Sequence, residues 1–154
     1  MKTFRLTLFT SVLLLLLGGC GLFENPNSNT SENCPTCNMK ISDSKLFTSS
    51  LYIKNSVHTF DDIGCMILFA KNNQLDLKNL HSEVFTNDTK KYIDSKKAYY
   101  KTDEDTPMNY GFAAYEHKQD NSVSFDEVIV KMLRGENMAN PKIRKFTLGN
   151  KHGE

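Results

Sequence analysis

The sequence predicts an α+β protein in which two similar strand–strand–helix units, each of about 55 residues, pack together. Short apolar runs typical of strands are followed twice by a segment whose apolar residues recur at helical spacing. A phenylalanine and two acidic residues stand at the start of each helical segment, as Phe60-Asp61-Asp62 and as Phe125-Asp126-Glu127. Because one such unit alone would be only marginally stable, we expect the two to pack against each other.

The first unit is predicted to contain strands at residues 46–53 and 57–60, then a helix, then a strand at residues 84–86. Asp61 and Asp62 stand where a helix N-terminus prefers negative charge. The apolar positions of the helix that follows are Ile63, Met66, Ile67, Phe69 and Ala70.

The second unit repeats this order, with strands predicted at residues 97–101 and 111–116. The apolar positions of its helix are Val128, Ile129, Met132 and Leu133. We place the two units at about residues 34–90 and 91–148, with a polar tail at residues 149–154.

The first 19 residues have the composition of a secretory signal peptide. Lys2 and Arg5 precede an uncharged, mostly apolar stretch at residues 6–17, which is shorter than the roughly 20 residues of a membrane-spanning helix. The stretch ends in Leu17-Gly18-Gly19-Cys20, whose spacing resembles a bacterial lipobox. We therefore expect acyl chains on Cys20 that hold the protein on the extracytoplasmic side of a bacterial membrane. The alternative is an ordinary cleavage site followed by a cysteine without lipid.

Residues 20–33 are rich in asparagine and serine and predict a flexible tether ahead of the folded domain. Loss of Lys2 and Arg5 leaves 17 basic against 18 acidic residues, so the formal net charge changes from +1 to −1. Without a basic excess the chain is not expected to bind nucleic acid. Since no nucleophile elbow, phosphate loop or placed carboxylate pair is present, we also expect a protein that is not an enzyme.

Soft donors suggest a metal site. Cys34 and Cys37 are separated by two residues, and Met39 follows two residues further on. Met108 lies in a polar turn at residues 106–111, where its neighbours form no apolar run. Thiolate and thioether together favour Cu(I), because both are polarisable ligands. Packing of the turn against the domain is the other explanation of Met108.

Cys65, on the first predicted helix, and His58, in a predicted strand, are possible additional ligands, although each also fits ordinary packing. Together with Cys34 and Cys37 they suit a structural zinc site. The cysteine pair alone can instead form a structural disulfide, which an extracytoplasmic compartment allows. A thiol–disulfide oxidoreductase would require the pair at a helix N-terminus, and no clear helix begins after it. With Cys20 lipidated, three thiols remain, so at least one is free or binds a ligand.

Five motifs in this order resemble the nitrous-oxide reductase accessory lipoproteins (NosL). The first two are Cys20 and the Cys-Pro-Thr-Cys-Asn-Met sequence of residues 34–39. The others are Phe-Asp-Asp-Ile-Gly-Cys-Met at residues 60–66, Thr-Pro-Met at residues 106–108, and Gly-Phe-Ala-Ala-Tyr at residues 111–115. The resemblance extends over nearly all of the predicted folded chain.

The resemblance implies a fold of two ββαβ units and a Cu(I) chaperone that supplies the copper–sulfide centre of nitrous-oxide reductase. Its implied partners are nitrous-oxide reductase or the assembly proteins of that enzyme. By carry-over, the implied Cu(I) ligands are Cys37, Met39 and Met108. Asn38 and Asn109 stand where glycine or another small residue is expected in the family. Because asparagine tolerates a positive φ better than most residues, we expect the turn at Asn38 to be retained.

Overall fold

The computed structural model describes residues 32–151. The predicted signal peptide, the lipid site at Cys20 and most of the predicted tether lie outside the described residues, as do residues 152–154. Within the described part, no helix is both long enough and apolar enough to span a bilayer.

The main sheet is antiparallel and has four strands in the order β2-β1-β3-β4. Its strands are β1 (Ser49–Ile53), β2 (Ser56–Phe60), β3 (Ser82–Phe85) and β4 (Tyr92–Asp94). The turn between β1 and β2 uses a left-handed residue, Lys54, at φ 52°. Helix α1 (Ile63–Asn72) follows β2 and packs against both β1 and β2. Its N-cap is Asp62, whose carboxylate accepts a hydrogen bond from the Gly64 N–H at 2.8 Å.

A second, two-stranded antiparallel sheet pairs β5 (Tyr99–Lys101) with β6 (Ala113–Tyr115). Helix α2 (Phe125–Arg134) follows, capped by Ser124 at its start and by Gly135 in the left-handed conformation at its end. The last element is helix α3 (Pro141–Lys151).

One hydrophobic core draws on both halves of the chain, because α1 packs against α2 and β3 packs against β6. Its largest buried apolar side chains are those of Leu51, Phe60, Met66, Ile67, Val84, Tyr100, Phe112 and Val128. The buried apolar residues of the described part all lie between Cys34 and Met138. The four-stranded sheet, the two-stranded sheet and the three helices confirm the α+β class.

The structure departs from two equivalent units in three respects. Strand β4 lies beyond the predicted boundary at residue 90 but pairs with β3, because the turn at residues 86–91 closes a hairpin with Lys90 at φ 56°. Helix α3 occupies the place where the resemblance implies a final strand, and it includes the first three residues of the predicted polar tail. The matched acidic pairs also differ, since Asp126 and Glu127 are exposed in the first turn of α2 whereas Asp61 and Asp62 are buried.

Candidate metal centre

A tight turn at residues 34–39, which we call the cysteine turn, holds Cys34 and Cys37. The Cys34 N–H donates to the Met39 carbonyl at 2.8 Å, and the Asn38 N–H donates to the Cys34 carbonyl at 2.9 Å. Asn38 adopts φ 63°, the left-handed conformation expected of it from the sequence. Thr36 anchors the turn to α1, because its hydroxyl donates to the Cys65 carbonyl at 2.9 Å. The turn therefore lies against the start of α1.

Four potential ligands converge at this position. The Sγ atoms of Cys34, Cys37 and Cys65 and a carboxylate oxygen of Asp61 all lie within 4.8 Å of one another. Cys34 and Cys65 are 1% and 0% exposed, Asp61 is 2% exposed, and Cys37 is only partly buried. All three cysteines are free thiols. We call these four residues the cysteine–aspartate cluster.

Three parts of the chain supply the cluster: the turn at residues 34–39, the junction between β2 and α1, and the first turn of α1. Asp61 directly follows Phe60, the last residue of β2, and directly precedes the N-cap of α1. Cys65 lies in the first turn of α1, where its N–H donates to the Asp62 carbonyl at 3.0 Å. Because the N-terminus of a helix carries partial positive charge, this position stabilises the negative charge of thiolates and carboxylates.

Cys34 is the thiol most readily ionised. The hydrogen bond from the Cys65 thiol lowers the pKa of Cys34 to about 6, against the opposing effect of burial. The N–H groups of Cys37 and Asp61 also lower the pKa of Cys34, because they stabilise its thiolate. The same shared hydrogen bond, followed by burial, raises the pKa of Cys65 far above its ordinary range.

Cys37 is paired with Asp61. Its thiol donates to both carboxylate oxygens of Asp61 at 3.3 Å. Burial, and then the neighbouring Asp61 and Cys34, raise the pKa of Cys37 to about 11, although the Met39 N–H has the opposite effect. Hydrogen bonds therefore hold two of the cluster's protons between the ligand atoms, at positions from which a bound cation would displace them.

The cluster can hold a metal ion, with three soft sulfur donors and one hard oxygen donor. In a tetrahedral site with bonds of about 2.3 Å, neighbouring donor atoms lie about 3.7 Å apart. The donors here are separated by up to 4.8 Å, so closure around an ion requires a contraction of about 1 Å. Exposure at Cys37 leaves one side of the cluster accessible to solvent.

Of the candidate ligands predicted from the sequence, Cys34, Cys37 and Cys65 belong to the cluster, whereas His58 lies outside it. The His58 ring packs 5.2 Å from the ring of Phe69, towards the far end of α1, and is not a member of the cluster. Asp61 is not among the ligands predicted from the sequence, because two acidic residues ahead of α1 also fit the charge preference of a helix N-terminus. In the structure Asp62 alone provides the cap, and Asp61 faces the thiols.

The two methionines implied by the resemblance occupy different surroundings. Met39 ends the cysteine turn and is 44% exposed. Met108 is partly buried and packs against the core. Its N–H donates to the Asp62 carboxylate at 3.4 Å, so the turn that carries Met108 is attached one residue away from Asp61. The role of both methionines as copper ligands stays a prediction.

Asp62 and Tyr110 fix that turn on α1. Burial raises the pKa of the Asp62 carboxyl to about 6, although a hydrogen bond with the Thr106 hydroxyl has the opposite effect. The Tyr110 ring lies directly against Gly64, where no larger residue fits without movement of the ring. The second half of the chain therefore covers the helix N-terminus that bears the cluster.

The fold and the cluster together define a small α+β domain that can hold a metal ion through cysteine and aspartate side chains. Comparison of the chain with protein-family models, with curated proteins and with solved structures gave no match. Assignment of a function therefore depends on the site chemistry and on the order of the sequence motifs.

Proposed function

We propose that this protein is an extracytoplasmic, lipid-anchored Cu(I) chaperone. The observation that carries the proposal is the convergence of three thiols within 4.8 Å, at a helix N-terminus. Three sulfur donors suit Cu(I), which prefers soft, polarisable ligands. The resemblance adds Met39 and Met108 as thioether ligands beside Cys37.

Access to the site fits transfer of the ion. Cys34 and Cys65 are buried, whereas Cys37 is partly exposed and Met39 beside it is 44% exposed. An acceptor can reach the ion from that side and exchange ligands one at a time. The tether at residues 20–33 would keep the domain close to membrane-bound partners and raise its local concentration there.

The order of the motifs supports nitrous-oxide reductase, or the proteins that assemble its copper–sulfide centre, as the acceptor. In this role the protein is not itself an enzyme, because it binds and releases an ion without making or breaking covalent bonds of a substrate. The predicted lipid on Cys20 would place it on the same side of the membrane as that centre.

Competition titration of Cu(I) against a chelator tests the proposal. We would use the reduced, unlipidated chain from Gly21, which retains every buried apolar residue of the described core. Tight binding of one ion per chain is expected, and the Cys37→Ser variant should weaken it by an order of magnitude or more, because Cys37 belongs to both candidate ligand sets. Affinity weaker than micromolar, or a Cys37→Ser variant with unchanged affinity, would contradict the proposal.

Two further variants distinguish the ligand sets. Loss of affinity in Cys34→Ser with none in Met108→Ala would assign the ion to the cysteine–aspartate cluster. The reverse result would assign it to Cys37, Met39 and Met108. Delivery itself is tested by incubating the copper-loaded chain with apo nitrous-oxide reductase or its assembly proteins and following copper in the separated partners. Retention of all copper on the chain would exclude delivery to these acceptors.

A further inference from the structure

Asp61 gives the cluster its single oxygen donor. The residue is 2% exposed, and both carboxylate oxygens lie 3.3 Å from the Cys37 sulfur. A buried carboxylate is costly unless it is paired with a cation or well hydrogen-bonded, and a thiol is only a weak donor. The protein therefore keeps a hard oxygen ligand among its thiols, although Cu(I) would not use it.

The position of Asp61 is built into the fold. Phe60, the preceding residue, pairs with Ser49 at the end of β2, and the following Asp62 caps α1. Because the backbone is fixed on both sides, the carboxylate is directed at the three sulfur atoms rather than towards solvent.

We infer that the cluster binds a divalent ion of the zinc class through four donors, the Sγ atoms of Cys34, Cys37 and Cys65 and a carboxylate oxygen of Asp61. Cu(I) uses sulfur ligands alone, so Asp61 determines the preference of the site between the two ions. The inference rests on the metal site of the proposed function and is independent of copper delivery.

The chemistry of the donors supports this difference. Zinc accepts both thiolate and carboxylate ligands and is almost always tetrahedral in closed sites, which requires a fourth donor beside three thiols. Four anionic ligands leave a net charge of −2 around the divalent ion, and the N-terminus of α1 at Cys65 stabilises that charge. With Cu(I) the three sulfur atoms already satisfy a soft monovalent ion.

Zinc affinity is measured on the reduced chain from Gly21 by competition with a chromophoric chelator. The test variant is Asp61→Asn, and the matched control is Asp62→Asn, which makes the same change one residue away on a carboxylate that faces the cap. We expect Asp61→Asn to lose about 100-fold or more in zinc affinity, since loss of even an outer-shell partner costs 10- to 100-fold. Asp62→Asn should stay within threefold of the original chain.

Asp61→Cys separates a ligand from a mere support, because it replaces the carboxylate with another zinc donor. Zinc affinity should return to the original value or exceed it. With Co(II) as the spectroscopic probe, the sulfur-to-metal charge-transfer absorption should rise by about a third, from three thiolates to four. Thermal unfolding of each variant in the presence of a chelator checks that the fold is retained.

Three results would overturn the inference: an Asp61→Asn variant within threefold of the original zinc affinity, equal losses in Asp61→Asn and Asp62→Asn, or no recovery in Asp61→Cys. The Cu(I) affinity of each variant is measured separately. Tight Cu(I) binding with no dependence of zinc on Asp61 would remove this inference and keep the proposed function. Asp61-dependent zinc binding with weak Cu(I) binding would do the reverse.

Discussion

Gly64 tests the packing of the second half of the chain onto the helix that bears the cluster. A Cβ atom added to Gly64 would lie 2.2 Å from Tyr110 Cδ2 and 2.8 Å from both Cε2 and Cγ, where ordinary contacts are 3.4–4 Å. The ring would have to move by about 1 Å. Its backbone is held on both sides, because the Tyr110 carbonyl accepts from the Met138 N–H at 3.1 Å and the Gly111 N–H donates to Thr106 at 3.2 Å.

The magnitude for Gly64→Ala follows from two opposing effects. Overpacking costs about 1–3 kcal/mol, whereas alanine in place of glycine stabilises a helix by up to about 1 kcal/mol. We therefore expect a net decrease of about 1–2 kcal/mol in the free energy of unfolding, or a fall in Tm of roughly 4 °C per kcal/mol for a domain of this size. The measurement is denaturant unfolding of the reduced chain in the presence of a chelator.

In a Tyr110→Ala background, the effect of Gly64→Ala on the free energy of unfolding should reverse its sign. With the ring removed, only the helix propensity remains, so Gly64→Ala should stabilise that variant by about 0.5–1 kcal/mol. A Gly64→Ala change that is neutral or stabilising in the original chain, or equally destabilising in both backgrounds, would refute the proposed packing of Tyr110 on α1.

Three further predictions concern stability away from the cluster. Asp88→Asn should cost about 2 kcal/mol at pH 7, measured by denaturant unfolding, because the carboxylate accepts N–H groups of Glu116 and His117 at 2.9 and 3.0 Å. Burial raises the pKa of Asp88, but these donors outweigh burial and hold the pKa well below its ordinary value. The stabilisation is therefore present above about pH 4 and is lost as pH falls further. An equally steep loss of stability below pH 4 in Asp88→Asn would contradict this role of the carboxylate. Gly135→Ala should lower the free energy of unfolding by about 1 kcal/mol from its φ of 72° alone, since nothing lies within 4 Å of an added Cβ; no change in Tm would argue against the left-handed cap. Ser124→Ala should cost about 1 kcal/mol through loss of the cap to the Glu127 N–H, whereas Ser124→Asp should cost nothing measurable in the same thermal scan.

Local patterns in the sequence were sufficient for many of the elements. Short apolar runs and turn residues predicted β1, β2 and β3, and helical spacing predicted α1 and α2. The family resemblance, together with the tolerance of asparagine for a positive φ, also predicted the left-handed turn at Asn38. Such features depend on neighbours within a few residues, so a single sequence records them directly.

The longer-range features required the folded chain. Strand β4 is only three residues long and is recognised by its pairing with β3, and α3 carries a weak apolar pattern with Phe146 69% exposed. The predicted lipid at Cys20 and the thioether ligands Met39 and Met108 stay predictions.

The candidate site shows the same division. The sequence by itself determined that Cys34 and Cys37 are separated by two residues and that Cys65 lies on a helix that follows two acidic residues. Only the tertiary structure decided that Asp61 faces the thiols while Asp62 caps the helix, because the pairing of β2 with β1 sets the direction in which each side chain points. Cys37 and Asp61 are 24 residues apart in the chain and meet only because the cysteine turn packs on the start of α1. No local pattern encodes that contact, since it depends on how the separately formed elements bury their apolar faces together.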